Sequence, residues 1–177
     1  MKKYIAFLRG INVGGKNIIK MDTLKDEFEK CGLRSVSTYI QSGNVIFESE
    51  DNHKEVADRL ETTLSKAFNY QLKIVVVSLD QLKRVLSEVP QEWKTSTNFR
   101  CYVAFVKEPV TANDVLAEVK LREGVDSVKV GKGVLYMSTL LSELAKSGFK
   151  NIIGTKVYQD ITIRNYNTIQ KILERMS

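Results

Sequence analysis

Histidine and tryptophan each occur once in this 177-residue sequence, and cysteine and proline twice each. These shortages exclude several kinds of protein. A zinc site draws on clustered histidine and cysteine ligands. His53, in "EDNHKEV", has no second histidine beside it, and Cys31 and Cys101 form no Cys-x-x-Cys pair, so no metal site is expected. Two cysteines are also too few for a disulfide scaffold. Both fall in apolar-patterned segments and read as reduced, buried thiols. His53 itself reads as a surface residue near a helix cap. Long hydrophobic runs are missing too: none approaches the ~20 residues of a membrane-spanning helix. The opening "MKKYIAFLRG" begins as a secretory leader does. Its apolar stretch runs only from Tyr4 to Leu8 before Arg9, short of a leader core of about 7 to 15 residues. A cytoplasmic protein with no membrane partner is the expectation.

What is present is an ordinary globular balance, with 43% hydrophobic and 27% charged residues, enough for one domain or two small ones sharing a core. Lysine and arginine number 27 against 21 aspartate and glutamate, a formal charge of +6. That mild basic bias suits an anionic partner but is weaker than a dedicated nucleic-acid binder shows.

The hydrophobic pattern repeats one unit. "YIAFL", residues 4–8, is a continuous apolar run of strand length. Met21, Leu24, Phe28 and Cys31 then follow helical spacing, and Gly32 supplies the stop. "SVSTYIQSGNVIFES" reads as a hairpin turning at Ser42, Gly43 and Asn44. Val56, Leu60, Leu64, Ala67 and Phe68 mark an amphipathic helix from about Asn52 to Phe68, and "LKIVVVSL", residues 72–79, a buried strand. After a connecting helix from Asp80 to Val89 and a polar stretch "KTSTN", the order begins again. "FRCYVAFVKE" is a strand, and Val115, Leu116 and Val119 mark a helix. "SVKVGKGVLYMS" is a hairpin turning at Gly131-Lys132-Gly133. Residues 139–149 are expected to be helical, "DITIR" a short strand, and Ile169, Ile172, Leu173 and Met176 a final helix from about Asn167. "KNIIGTKVYQ" fits neither period. The fold class that follows is α+β, two ferredoxin-like (βαββαβ) halves with mainly antiparallel sheets. The halves span residues 1–79 and 99–177, and residues 80–98 connect them.

Function has to be sought in the polar segments. In "LRGINVGGKN", Gly10, Gly15 and Lys16 satisfy the spacing of a Walker phosphate loop, but Asn17 replaces the magnesium-binding hydroxyl. "NIIK" separates Lys16 from the first helix, and two β-branched isoleucines there oppose an immediate helix start. A looser reading survives. Gly14-Gly15 leaves backbone N–H groups unshielded, and Arg9, Lys16 and Lys20 add positive charge, as in an anion nest. The alternative is that the glycines supply positive φ to a turn and the cations face water.

"TYIQSGNV" sets Gln41, Ser42 and Asn44 around Gly43, where turn chemistry alone accounts for the composition. Ser42 as a nucleophile would need a base that the sequence does not offer. "TIRNYNTIQ" holds Arg164, Asn165, Asn167 and Thr168 where a strand meets the last helix. Asn167 with Gln170 is a capping-box-like pair, and Arg164 beside a helix N-terminus is a candidate anion contact. No paired carboxylates stand at a spacing that demands acid–base catalysis.

Three stretches, "YIAFLRGINVGGKN", "TYIQSGNVIF" and "TIRNYNT", resemble the signature segments of a bacterial family known as domain of unknown function 1697, in the same order over nearly the whole chain. The resemblance implies two ferredoxin-like halves and a bacterial cytosolic protein; it supplies no activity and leaves the cofactor unknown. The family's polar signature falls on Arg9, Asn12, Gly14, Gly15, Lys16 and Asn17. It continues on Gln41, Ser42, Gly43 and Asn44, and then on Arg164, Asn165, Asn167 and Thr168. Lys20 stands where relatives have proline, and Tyr166 where they have tryptophan.

The leading expectation is a binding protein for a small phosphate- or nucleotide-like anion. Its candidate contacts are Arg9, Asn12, Gly14, Gly15, Lys16, Asn17, Gln41, Ser42, Asn44, Arg164 and Asn165. RNA binding is the first alternative, since an RNA-recognition module shares this fold and would display aromatics such as Tyr4, Phe7 or Phe47 on its sheet. An enzyme that uses Arg9, Lys16 or Arg164 to stabilise developing negative charge is another, and a purely structural or partner-binding domain is the last.

Overall fold

The computed structural model describes all 177 residues. The chain runs β1 (Lys2–Leu8), α1 (Met21–Lys30), β2 (Arg34–Tyr39), β3 (Asn44–Ser49), α2 (His53–Phe68), β4 (Ile74–Ser78), α3 (Leu79–Ser87) and α4 (Glu92–Thr95). It continues with β5 (Phe99–Val106), α5 (Ala112–Glu118), β6 (Asp126–Gly131) and β7 (Val134–Leu140). Three short 3₁₀ segments follow (Leu141–Lys146, Phe149–Ile152, Lys156–Asp160), then β8 (Ile161–Asn165) and α6 (Tyr166–Met176). No helix is long and apolar enough to cross a membrane.

The strands form two four-stranded antiparallel sheets, ordered β2-β3-β1-β4 and β6-β7-β5-β8, so the protein is α+β with two sheet-bearing units. The first compact unit comprises residues 1–83 and 172–177, and the second residues 84–171. The last turn of α6 therefore counts with the first unit rather than the second, and the connecting segment mostly with the second.

In the first unit, alternate side chains of the central strands meet the apolar faces of α1 and α2. Tyr4, Ala6 and Leu8 of β1 and Val45 and Phe47 of β3 join Leu24, Phe28, Val56, Leu60 and Leu64 in one core. Asn52 caps α2 by accepting from the N–H groups of Lys54 and Glu55, and His53 is the exposed first residue of that helix. From the last turn of α6, Arg175 lies over the Tyr39 ring at 4.6 Å and the Met176 carbonyl accepts from Lys3 Nζ at 3.0 Å.

The second unit repeats the strand order but not the second helix. Residues 139–149, expected to be helical, continue β7 to Leu140 and then form 3₁₀ turns. Polar and small residues, "SELAKSG", supply too few apolar positions at helical spacing to anchor a long helix. Asp126 organises this stretch instead. Its carboxylate accepts from the Thr139 and Ser147 hydroxyls at 2.8 and 2.7 Å and from the Gly148 and Arg122 amides at 2.7 and 3.0 Å. Gly148 fits because a Cβ there would collide with the Lys120 carbonyl.

Candidate functional site

Antiparallel pairing fixes where the glycine loop and the first hairpin turn stand. The end of β1 lies beside the beginnings of β3 and β4, with Phe7 opposite Asn44 and Leu8 opposite Ile74. The Leu8 amide donates to the Gly43 carbonyl at 2.8 Å, and the Arg9 amide to the Lys73 carbonyl at 3.0 Å. Both polar segments of the first unit thus occupy one end of its sheet. The second unit makes the matching pair of bonds, Val106 to Gly133 at 3.0 Å and Lys107 to Asp160 at 2.7 Å.

The glycine loop is itself a small hairpin. Asn12 and Asn17 are joined backbone to backbone at 3.1 Å, as are Lys16 and Val13, and Val13 and Lys16 form an isolated bridge. Gly14 and Gly15 have φ of 58° and 74°. Two successive positive φ values are what a two-residue type I′ turn needs. The glycines are therefore accounted for by the turn, which also engages the Lys16 amide. Helix α1 begins only at Met21, with Lys20 as an N-cap that makes no side-chain cap bond, so the Walker geometry is absent.

Asn12 pins this hairpin to the rest of the unit. Its Oδ1 accepts from the Ile19 amide at 2.8 Å, while its Nδ2 donates to the carbonyls of Ile19 at 3.0 Å and Gln41 at 2.8 Å. Asn17 Nδ2 donates to the Gly10 carbonyl at 3.1 Å. Both residues have left-handed backbones, φ 54° and 51°, which asparagine tolerates better than most. Gly43 completes the contact. It has φ 72°, and a Cβ there would stand 2.8 Å from Leu8 Cβ and from Ile11 Cδ1. Asn44 is fully buried and donates to the Tyr39 carbonyl and to Ser42 Oγ. Ile40, at φ 49° and 49% exposed, is a β-branched outlier in the same turn.

The site residues expected from sequence therefore divide. Asn12, Asn17 and Asn44 spend their side-chain amides on the protein itself, and Gly14 and Gly15 serve the turn. Lys16, Gln41 and Ser42 are exposed and Arg9 partly so. Lys20, expected from the sequence as a third cation flanking the glycines, is exposed on the same loop. The two segments themselves hold no carboxylate. Residues 9–20 carry Arg9, Lys16 and Lys20 and no acid, residues 40–44 carry no charge, and the next acid along the chain is Asp22 in the first turn of α1. The matching end of the second unit differs, since Glu108 and Asp114 follow Lys107, and Asp160 precedes β8.

Arg164 and Asn165 stand on β8 of the second unit, where local roles explain both. Arg164 Nη1 donates to Thr162 Oγ1 at 2.8 Å and to the Ile163 carbonyl at 3.0 Å. Burial lowers its guanidinium pKa to about 10, which leaves it charged at neutral pH. The helix cap is Asn165, whose Oδ1 accepts from the Asn167 amide at 2.9 Å. This corrects the capping expectation for Asn167, which lies inside the helix. Gln170 does not close a capping box either: its Nε2 donates to the Tyr166 hydroxyl at 3.2 Å. The helix starts at Tyr166 with no residue between it and the strand, which puts the cap two positions before the expected Asn167.

The fold and this pinned pair of loops define an α+β protein of two antiparallel units with a basic sheet end in the first. Residues 1–136 match the family described as "Protein of unknown function (DUF1697)", and the chain belongs to that family. It is similar to the solved structure of a conserved bacterial protein, SP0830 from Streptococcus pneumoniae. The two share 28% sequence identity with a TM-score of 0.87 over 99% of each chain. No curated protein matches the chain.

Proposed function

We propose that the first unit binds a small phosphate- or nucleotide-like anion at the sheet end where the glycine hairpin meets the turn at residues 40–43. The observation that carries this reading is the combination of rigidity and charge. Asn12 fixes two segments that hold no carboxylate and present Arg9, Lys16 and Lys20 with Gln41 and Ser42. A preorganised cationic surface binds without first losing loop entropy, which raises the affinity available from a few charged contacts. The basic excess attracts anions from a distance, and screening by salt weakens that attraction. Each unit is read as a ferredoxin-like half, in keeping with the common strand order, and the acidic residues at the matching end of the second unit favour a single site per chain.

RNA recognition by ring stacking on the sheet has less support. Tyr4 and Phe47 lie in the helix-facing core, and Phe7 is fully buried, so these rings offer no platform for bases. A thermal-denaturation screen against inorganic phosphate, pyrophosphate and nucleotides tests the proposal. A ligand present at 100 times its Kd stabilises by about 2.7 kcal/mol. The expected result is stabilisation that is lost in Arg9→Ala and Lys16→Ala. Absence of stabilisation by every anion, or stabilisation unchanged in both variants, overturns it.

A further inference from the structure

We propose that the second unit holds a separate binding site, for a small amphipathic carboxylate, in the cavity between its sheet and the 3₁₀ segments. In the first unit the corresponding stretch of chain is α2, which buries Val56, Ala57, Leu60 and Leu64 against the sheet. In the second unit the three 3₁₀ segments bury only Ile152 fully and set Phe149, Val157 and Tyr158 against the core half-buried. This cover is looser than that of α2, and a cavity of about 270 Å³ remains. Met137 and Ile163 of the sheet line it with Phe149 and Ile152 of the covering segments. At its edge, Leu144 and Ile153 also line the cavity while 40% and 63% exposed. At ~30 Å³ per water, this volume matches about nine waters, or a hydrocarbon body of about nine heavy atoms.

The chemistry of the lining selects the rest of the ligand. Thr139 and Ser147 also line the cavity, but their hydroxyls are committed to Asp126. Lys150 is the sole charged residue of the lining, and its Nζ has only a long bond, 3.3 Å, to the Ala145 carbonyl. An apolar body with an anionic head satisfies both features: the hydrocarbon displaces poorly held water, and the carboxylate pairs with the ammonium. This site shares no residue with the anion site of the first unit.

The test is a methyl NMR titration of the full-length protein with octanoate, using octanol as the uncharged counterpart. Saturable shifts of the Met137, Ile152 and Ile163 methyls are expected. Octanol should bind about tenfold more weakly, the scale of one charge-assisted contact, and Lys150→Gln should bring octanoate down to the level of octanol. Ile153→Trp, at a tolerant exposed position, should block both ligands while leaving the circular dichroism unchanged. Three outcomes overturn the proposal: no saturable shift, equal binding of octanol and octanoate, or methyl shifts that follow protein concentration without ligand. The last would identify a second copy of the chain as the occupant.

Discussion

Replacing Asn12 by alanine should cost about 3 kcal/mol, because one side chain ties the glycine hairpin both to its own exit at Ile19 and to the neighbouring turn at Gln41. Three hydrogen bonds disappear, to the Ile19 amide and carbonyl and to the Gln41 carbonyl, each worth about 0.5–1.5 kcal/mol net. The Ile19 amide is left without its acceptor in a residue only 5% exposed; the penalty for such an orphan, about 1–3 kcal/mol, overlaps with the bond energies rather than adding to them. Alanine at φ 54° adds about 1 kcal/mol of backbone cost. For a chain of this length each kcal/mol moves Tm by about 2–4 °C, so a fall of about 6–12 °C is expected. Urea unfolding followed by circular dichroism should show a lower midpoint with an unchanged m value. Asn12→Gly loses the same bonds but not the backbone conformation and should cost about 2 kcal/mol. Hydrogen exchange at the Ile19 amide should speed up in both variants. An Asn12→Ala protein within about 0.5 kcal/mol of the parent, with that amide still protected, would refute the pinning argument.

Other consequences are equally direct. Gly43→Ala should cost about 2–5 kcal/mol, combining left-handed backbone strain with a collision against Leu8 and Ile11, whereas Gly133→Ala, at φ 73° in open space, should show only the strain of about 1–2 kcal/mol. Ile40→Asn should raise stability by about 1 kcal/mol by relieving a left-handed β-branched residue that is half exposed. Burial alone would raise the Asp126 pKa, but hydrogen bonds from Gly148, Ser147, Arg122 and Thr139 more than offset that and hold it below its ordinary value. The stability it contributes is therefore complete above the unfolded carboxylate pKa of about 3.9 and is lost as pH falls through the lower folded value. Urea midpoints should drop more steeply between neutral and acidic pH in the parent than in Asp126→Asn. Burial, with the charge of Glu92 adding to it, pushes the Cys101 thiol up to about 11, so a thiol reagent at mildly alkaline pH should label the partly exposed Cys31 first and Cys101 far more slowly.

The fold was largely legible because strands and helices here advertise themselves by period. "YIAFL" and "LKIVVVSL" could hardly be anything but buried strands, and Gly32 and Asn52 mark helix ends by their own chemistry. Legibility failed after β7, where the covering segments are held by one carboxylate, Asp126, from another part of the chain. No local pattern records that a distant aspartate will collect Thr139, Ser147 and Gly148. The candidate site divides in the same way. Composition identified "GINVGGKN" and "QSGN" as special without saying whether glycine and asparagine serve the backbone or a ligand. Those residues form the frame, through contacts such as Asn12 to Gln41 that span 29 positions.

The central claim is that the pinned basic end of the first sheet is a binding site, and an amide NMR titration with pyrophosphate tests it most directly. Saturable shifts should appear together in residues 9–20 and 40–44, weaken with added salt, and vanish in Lys16→Ala, while residues 107–111 at the matching end of the second unit stay still. The absence of any saturable shift in those segments, or shifts of equal size at residues 107–111, would contradict it.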